Sequence, residues 1–261
     1  MGNVNAAGIP AEDPSQDLTG RVAIVTGAAR GMGRAHARRL AAQGASVLLV
    51  DRDGVVAETA AELANVGGRV DHLAADLTAE GADALVVDTC LERFGRLDIL
   101  VHNAGIMHDW RRLKETSPEE LDRYFALNVR APYALSRTAR PHLARSGSGR
   151  IVFISSQWGQ VPDGHSYGYM VSKAAQLGLM KALAQELVGE GILVNAIAPG
   201  AVRTRMVPDE YLEVETAAVP LGRLAEPGEI AALVGFLASD QAGFITGQTL
   251  PVNGGALLVG I

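Results

Sequence analysis

Residues 21–33 read RVAIVTGAARGMG, an apolar run rich in β-branched residues followed by a turn with three glycines. A helical pattern begins in that turn, so the order predicts a strand, a tight turn and a helix. Gly27 would permit the turn, Gly31 would let the backbone approach a pyrophosphate, and Gly33 would let helix and strand pack closely. The spacing G-x-x-x-G-x-G differs from the standard dinucleotide fingerprint G-x-G-x-x-G. By itself the stretch therefore fits both a dinucleotide site and a tight connection that binds nothing.

The next strand favours the dinucleotide site. Residues 46–50 read SVLLV and lead to Asp51, about twenty residues after the glycine turn begins, where a carboxylate can accept hydrogen bonds from an adenosine ribose. Asp51 would repel the 2′-phosphate of NADP, whereas Arg30 and Arg52 flank the same position and could attract it. Because the carboxylate lies at the strand end itself, we expect NAD rather than NADP.

The rest of the chain alternates strands with helices. Further strands are predicted over residues 70–75, 97–101, 149–155, 192–198 and 249–252, and helices over 55–66, 79–94, 118–145, 167–189 and 226–238. The expected class is α/β, a single Rossmann-like, doubly wound domain whose parallel sheet has about seven strands and helices on both faces. Pro251 predicts that the last strand lies at an edge of the sheet or contains a bulge.

The length of 261 residues fits one large domain. Residues 1–18 contain no apolar run and no basic start, which predicts a loose tail rather than a signal peptide. The domain is therefore expected over residues 19–261. Residues 204–222 lack a long periodic element, and such an irregular stretch in a compact domain is often a mobile loop over a substrate.

The composition argues against several function classes. With 23 basic and 29 acidic side chains the net charge is −6, and no long basic run is present, so nucleic-acid binding is not expected. No apolar stretch is long enough to span a membrane, and six scattered histidines show no metal-ligand spacing. Cys90 is the single cysteine, which fits a reducing cytoplasm. The absence of a G-x-S-x-G elbow counts against a hydrolase.

A candidate catalytic set follows the fifth strand. Ser156 ends that strand, and Tyr169 and Lys173 are four residues apart on a predicted helix, which places their side chains on one face. A phenol has an ordinary pKa near ~10, and a neighbouring ammonium would lower that pKa. Each residue also has a plainer interpretation. The lysine could be solvated, the serine could be a turn residue, and Asn128, in the middle of a long helix, could serve only structural hydrogen bonds.

Taken together, these marks resemble the short-chain dehydrogenase/reductase family. The resemblance extends in the family's order from about residue 18 to the C-terminus, and it rests on residues 26–33, Asn103-Ala104-Gly105, Asn128, Ser156, Tyr169, Lys173, and Pro199-Gly200 with Thr204. It implies an oxidoreductase that interconverts a secondary alcohol and a ketone with NAD(P). Tyr169 would be the general acid/base, and Ser156 would bind the substrate oxygen. Lys173 would lower the phenol pKa and bind the nicotinamide ribose, and Asn128 would help to hold a water in a proton relay.

The resemblance also implies a cofactor site. Its expected members are Gly27, Arg30, Gly31, Met32 and Gly33 at the pyrophosphate, Asp51 and Arg52 at the ribose, Asp76 and Leu77 at the adenine, Asn103, Ala104 and Gly105 beside the sheet, and Pro199, Gly200, Val202 and Thr204 with Tyr169 and Lys173 at the nicotinamide end. The candidates for the substrate wall are Trp158, Met206 and Tyr211, and the candidates for its polar rim are His108 and His165.

Two other functions remain open at this point. A 3-oxoacyl-thioester reductase, acting on a carrier-bound substrate with NADPH, would use the same chemistry. A non-catalytic dinucleotide-binding regulator would keep the glycine turn but would not need the set of Ser156, Tyr169 and Lys173. The resemblance further implies a homotetramer, built partly through the helices that begin at Pro118 and Tyr167.

Overall fold

A seven-stranded parallel sheet forms the centre of the chain in the computed structural model, which describes residues 17–65, 68–107, 111–162 and 165–258. The strand order is β3-β2-β1-β4-β5-β6-β7. The strands are β1 (Val22–Thr26), β2 (Ser46–Asp51), β3 (Val70–Ala74), β4 (Ile99–His102), β5 (Arg150–Ile154), β6 (Leu193–Pro199) and β7 (Thr249–Val252). The predicted Rossmann-like α/β fold is confirmed.

Helices cover both faces of this sheet. One face carries α1 (Gly31–Ala42), α2 (Val56–Asn65) and α8 (Pro227–Ala238). The opposite face carries α3 (Ala82–Phe94), α4 (Pro118–Phe125), α5 (Ala131–Ser146) and α6 (Tyr167–Leu187). Because both faces are covered, the central strands are mainly apolar, and every residue of β1, β4 and β5 is buried.

The two edge strands differ from the centre. β3 has only half-buried and exposed positions, and β7 pairs only with β6. Pro251 lies in β7 and its ring is exposed, so the missing amide hydrogen breaks no bond in the interior of the sheet. The predicted edge position of this strand is confirmed.

The long helix predicted over residues 118–145 is interrupted. α4 ends at Phe125, a π-helical turn runs over Ala126–Arg130, and α5 continues from Ala131. The side chain of Ser117 caps α4 by accepting a hydrogen bond from the Glu120 amide at 3.2 Å. The wide turn buries Asn128 completely. Hydrophobic periodicity did not reveal this interruption because a π-turn adds a single residue to an otherwise helical pattern.

The structure changes one predicted boundary and shows short elements in a segment predicted to be irregular. Leu18, which the sequence assigned to the tail, is fully buried, and its amide donates to the Gln43 carbonyl at 2.7 Å. The folded part therefore begins before residue 19, and the rest of the predicted tail, residues 1–16, lies outside the described residues. The segment 204–222 contains a short turn at Asp209–Tyr211 and one short helix, α7 (Leu212–Ala217).

In the ranges given above, none of the helices has the length and apolar character needed to cross a bilayer. Within the same ranges, no group of three or more His, Cys, Asp or Glu side chains is arranged to hold a metal ion. Cys90 is buried and free, and burial raises the pKa of its thiol to about 12.

Candidate active site

The sheet brings the catalytic candidates together at the carboxyl ends of its strands. β5 ends at Ile154 and delivers Ser156, α6 begins at Tyr167 and carries Tyr169 and Lys173, and the π-turn supplies Asn128. All four candidate side chains are buried, with 7% exposure for Ser156 and Tyr169, 4% for Lys173 and 0% for Asn128. The interpretation of Lys173 as a solvated surface lysine is therefore excluded. The turn interpretation of Ser156 is not, because this residue precedes the short turn Gln157–Gly159 and its hydroxyl accepts a hydrogen bond from the Trp158 amide.

Ser156 and Tyr169 form a buried hydroxyl pair. The Ser156 hydroxyl accepts a hydrogen bond from the Trp158 amide at 3.2 Å, and the Trp158 indole stands edge-on to the phenol ring at 6.2 Å. Burial raises the pKa of Tyr169 to about 12, while a hydrogen bond from Ser156 acts in the opposite direction. The lowered phenol pKa expected from the sequence is therefore wrong for the protein alone.

The position of Lys173 explains that correction. Its Nζ donates to the Ile154 carbonyl at 2.8 Å and to Gln176 Oε1 at 3.2 Å, and it lies 5.6 Å from the centre of the Tyr169 ring. Burial lowers the pKa of Lys173 to about 7. Near neutral pH the amine is thus only partly charged, so it offers the phenolate little stabilisation.

Asn128 connects three parts of this site. Its Oδ1 accepts a hydrogen bond from the Ile106 amide at 3.1 Å, and its Nδ2 donates to Ser172 Oγ at 2.9 Å. A Cβ placed on Gly105 would lie 3.3 Å from Lys173 Nζ and 3.4 Å from Asn128 Oδ1. The glycine therefore keeps open a space that is bordered by both polar groups.

A cleft of about 770 Å³ runs along the glycine turn. Its wall contains thirteen of the predicted cofactor residues: Gly27, Arg30, Gly31, Met32, Gly33, Asp51, Arg52, Asp76, Leu77, Asn103, Ala104, Gly105 and Thr204. The structure thus brings together residues from the ends of four strands and from the segment 204–222. Its size and extended form fit a dinucleotide.

The glycines of this turn shape the floor of the cleft. A Cβ on Gly33 would lie 2.0 Å from the Gly27 carbonyl oxygen, and one on Gly27 would lie 2.8 Å from the Ala104 Cα. Gly31 has φ +54°, and the atom that a Cβ there would meet first is Thr204 Cγ2, at 3.5 Å. Gly27 and Gly33 therefore pack tightly against the rest of the fold, whereas the backbone at Gly31 has no close contact. This backbone lies at the amino end of α1, a place that suits a diphosphate.

Acidic side chains lie at the end of the cleft where the sequence predicts the adenosine ribose. The Asp51 carboxylate accepts hydrogen bonds from the Ala29 and Asp53 amides, each at 3.0 Å. Arg30 is bound in a short ion pair to Asp53. A hydrogen bond from the Val55 amide and the Arg30 guanidinium hold the pKa of the Asp53 carboxyl below its usual range. The charge of Arg30 is therefore already compensated.

A second, smaller cavity of about 80 Å³ adjoins the hydroxyl pair. Its wall contains the catalytic candidates Ser156 and Tyr169, the predicted wall residues Trp158, Met206 and Tyr211, and the predicted nicotinamide-end residues Pro199, Gly200, Val202 and Thr204. His165 is not on this wall and contacts Arg112 at 3.4 Å. His108, the other predicted rim residue, lies outside the described residues. Asn128 and Lys173 lie behind the two cavities, not on their walls.

Some residues on these walls were not found from the sequence. The large cleft also contains Arg34, Ala75, Thr78, Ile106, Arg123, Ala126, Leu127 and Arg205, and the small cavity contains Met107, Ser155, Gln157, Ala201, Val207, Pro208 and Glu215. Arg205 follows Thr204 and Gln157 follows Ser156, so their neighbours in the sequence could have indicated that they line these cavities. For Arg123, on α4, the sequence offered no such signal, because its position at the cleft depends on how that helix packs.

Comparisons with known proteins decide the family. The family model described as enoyl-(acyl carrier protein) reductase matches residues 27–256. A relative from Thermotoga maritima, described as an uncharacterized oxidoreductase, is 38% identical over 253 residues, which cover 93% of this chain and 100% of that protein. The chain belongs to the short-chain dehydrogenase/reductase family.

Solved structures of short-chain dehydrogenases/reductases share its fold. A dehydrogenase/reductase from Sinorhizobium meliloti 1021 matches with a TM-score of 0.89 and 38% identity, over 94% of this chain and 98% of that one. A 3-ketoacyl-(acyl-carrier-protein) reductase from Brucella melitensis, complexed with NADH, matches with a TM-score of 0.88 and 36% identity, over 93% and 100% of the two chains. The protein is thus a short-chain dehydrogenase/reductase with a nucleotide-binding fold and oxidoreductase function.

Proposed function

We propose that this protein is an NAD-dependent oxidoreductase that interconverts a secondary alcohol and a ketone. The observation that carries the proposal is the buried hydroxyl pair of Ser156 and Tyr169, which faces a small, mainly apolar cavity. Met32, Thr204 and Met206 line both this cavity and the large cleft, so a substrate and a dinucleotide can meet at the pair. When bound, the nicotinamide supplies or accepts the hydride.

Tyr169 is the proposed general acid in ketone reduction. With a pKa raised to about 12, the phenol keeps its proton throughout the neutral range and can donate it to the ketone oxygen. In the protein alone the Ser156 hydroxyl accepts a hydrogen bond from the Trp158 amide and is hydrogen-bonded to Tyr169. When a ketone is bound, the serine proton is proposed to turn from the phenol to the same ketone oxygen. Ser156 would then stabilise negative charge as it develops on that oxygen.

Lys173 is proposed to return a proton to Tyr169. Its lowered pKa of about 7 lets the amine gain and lose a proton near neutral pH. Asn128 is proposed as a positioning residue, because its amide holds the Ile106 backbone and Ser172, while Ser172 donates to the Tyr169 carbonyl at 2.8 Å. The space kept open by Gly105 lies where a water or a ribose hydroxyl could join the two residues.

The segment 204–222 is proposed to cover the substrate. Met206 and Tyr211 come from this segment, and Trp158 faces them from the end of β5. An apolar cover of this kind excludes water and strengthens the hydrogen bonds to the reacting oxygen.

NAD is the proposed cofactor, and the support lies at the ribose end. The Asp51 carboxylate is fixed by two amides, where it would accept a ribose hydroxyl and repel a 2′-phosphate. Arg30 is ion-paired with Asp53, so it would attract a 2′-phosphate less strongly than the sequence suggested. The related Brucella reductase was solved with NADH.

The proposal is tested by following nicotinamide absorbance while NADH or NADPH is offered with ketones, diketones, sugars and acetoacetyl thioesters. Tyr169→Phe should lose roughly 10²- to 10⁴-fold in kcat and still bind NADH with wild-type affinity. Tyr167→Phe, on the same helix and outside both cavities, is the matched control and should stay active. Turnover by Tyr169→Phe at the wild-type rate would contradict the assigned chemistry.

The same assay separates the two alternatives. The family model's description and the Brucella relative support a 3-oxoacyl-thioester reductase as the second candidate. A preference for acetoacetyl thioesters with NADPH would identify the protein as a 3-oxoacyl-thioester reductase. Tight cofactor binding without turnover on any carbonyl compound would instead favour a dinucleotide-binding regulator.

A homotetramer in the cytoplasm is proposed for the assembled protein. The outer face of α6 is exposed and smooth at Val171, Ala174, Gly178 and Ala182, and a Cβ on Gly178 would meet nothing within 4 Å. Such a face lets a second helix approach closely. The molar mass from light scattering tests the stoichiometry, and a monomeric mass would contradict it.

A further inference from the structure

The large cleft carries an excess of positive charge although the chain as a whole is acidic. The net charge of the chain is −6, yet five arginines line the cleft against two aspartates, Asp51 and Asp76. Two of those arginines are neutralised, because Arg30 pairs with Asp53 and Arg34 pairs with Glu62. The other three, Arg52, Arg123 and Arg205, make neither a hydrogen bond nor an ion pair within the described part of the chain. Arg52 and Arg205 act on carboxyls at longer range, because their charges help to lower the pKa values of Asp76 and Asp53.

Arg205 is the one of these three that lies beside the glycine turn. Its neighbour Thr204 rests over Gly31, with Cγ2 at 3.5 Å from where a Cβ would be. The guanidinium of Arg205 is exposed and lies on the cleft wall. It is also close enough to Asp53 to contribute to the lowered pKa of that carboxyl, so it is near the Arg30–Asp53 pair.

These observations have a common explanation in the charge of the cofactor. A dinucleotide carries two negative charges on its diphosphate, and a diphosphate over Gly31 would lie between the backbone of the turn and the start of the segment 204–222. An unpaired guanidinium at that place can form charge-assisted hydrogen bonds to phosphate oxygens.

We infer that Arg205 binds the cofactor diphosphate from above and that this contact fixes the segment 204–222 over the substrate cavity. The inference rests on the proposed dinucleotide-dependent function. It adds a residue of the covering segment to the cofactor site, so that cofactor binding and ordering of the substrate cover become one event.

Arg203, which directly precedes the segment 204–222, provides a matched control. It lies two residues before Arg205, is exposed, and pairs with Glu226 at 3.0 Å. It is on the wall of neither cavity. Replacing Arg203 by glutamine removes the same charge without touching the cleft.

The test measures dissociation constants of NADH and NADPH by fluorescence, and hydrogen exchange of residues 204–222 with and without NADH. Arg205→Gln should weaken both cofactors alike by roughly 10- to 100-fold and abolish the NADH-induced protection of the segment. Arg203→Gln should match the wild type in both measurements. Arg205→Lys, which keeps a charge, should recover most of the affinity, and thermal unfolding checks that each variant is folded.

The outcomes separate this contact from the proposed function. Wild-type affinity and protection in Arg205→Gln would overturn the inference and leave the proposed function intact. A loss confined to NADPH would also overturn it, because the guanidinium would then act on the 2′-phosphate. A wild-type protein that binds neither cofactor would overturn the proposed function itself.

Discussion

Lys173 approaches the ring of Tyr169 to 5.6 Å but directs its hydrogen bonds elsewhere, to the Ile154 carbonyl and to Gln176. The two side chains share one face of α6, as their spacing requires, and both are buried. Burial moves their pKa values towards the uncharged forms, to about 12 for the phenol and to about 7 for the amine. In the protein alone the Tyr169 phenol therefore holds a proton that it can donate, and the Lys173 amine is only partly protonated near neutral pH.

The buried amine should make stability depend on pH. The pKa of Lys173 is about 7 in the folded chain, against an ordinary value of 10.5. Between these values the unfolded chain binds the extra proton, so stability rises with pH, by at most about 1.4 kcal/mol per unit. In Lys173→Met this contribution disappears.

Urea unfolding from pH 6 to pH 9 measures the effect. The stability of the wild type relative to Lys173→Met should be constant below pH 7 and increase above it. Lys181→Met, an exposed position on the same helix, should run parallel to the wild type. Parallel curves for all three proteins would show that the amine is not buried as described.

Removal of the Ser156 hydroxyl should reduce catalysis without affecting the cofactor. Ser156→Ala is expected to lower kcat about 10²-fold, since a donor to the reacting oxygen is lost. The dissociation constant of NADH should not change. Ser156→Thr keeps a hydroxyl and should restore part of the rate. Equal losses in the two variants would point to packing around Trp158 instead.

Asp51 should control the choice between the two cofactors. Asp51→Ala removes the charge that repels a 2′-phosphate, so the ratio of kcat/KM for NADH over NADPH should fall at least about tenfold. Stability should also fall, by about 1–3 kcal/mol, because the Ala29 and Asp53 amides lose their acceptor. Asp71→Ala, on β3 and paired with Arg93, is the control. An unchanged ratio of kcat/KM for NADH over NADPH would show that Asp51 does not determine the cofactor preference.

The glycine turn should be intolerant of a single methyl group. Gly33→Ala would place a Cβ 2.0 Å from the Gly27 carbonyl oxygen, so the turn must open and both stability and NADH affinity should fall. Gly228→Ala, in the first turn of α8, meets nothing within 4 Å and should stabilise by up to about 1 kcal/mol. Thermal unfolding and NADH titration compare the two. Full affinity in Gly33→Ala would contradict the close packing of helix and strand.

The parts of the site that were predictable from sequence are those that depend on local spacing. The glycine turn, Asp51 at a strand end, and the pair of Tyr169 and Lys173 each follow from a few neighbouring residues. Parallel strands then place these elements at one edge, so their convergence required no further information. The segment 204–222 was predicted to be irregular because it lacks a long periodic pattern.

The remaining features depend on tertiary packing. The high pKa of Tyr169 arises from burial, which the spacing of residues does not report. Arg123 reaches the cleft only because of the way α4 packs. The burial of Leu18 likewise arises from a hydrogen bond and contacts across the fold, not from its polar surroundings in the sequence.

The π-helical turn at Ala126–Arg130 gives the helical segment one residue more than an unbroken α-helix would have. Each residue of an α-helix turns by about 100°, so this insertion sets the rotation of α4 against α5. Deleting one residue there would let a regular helix form, and it would swing Asn128 away from Ile106 and Ser172. The π-turn therefore acts as an angular spacer. A single extra residue sets the rotation of the outer helices and, with it, the position of the Asn128 amide beside Ile106 and Ser172.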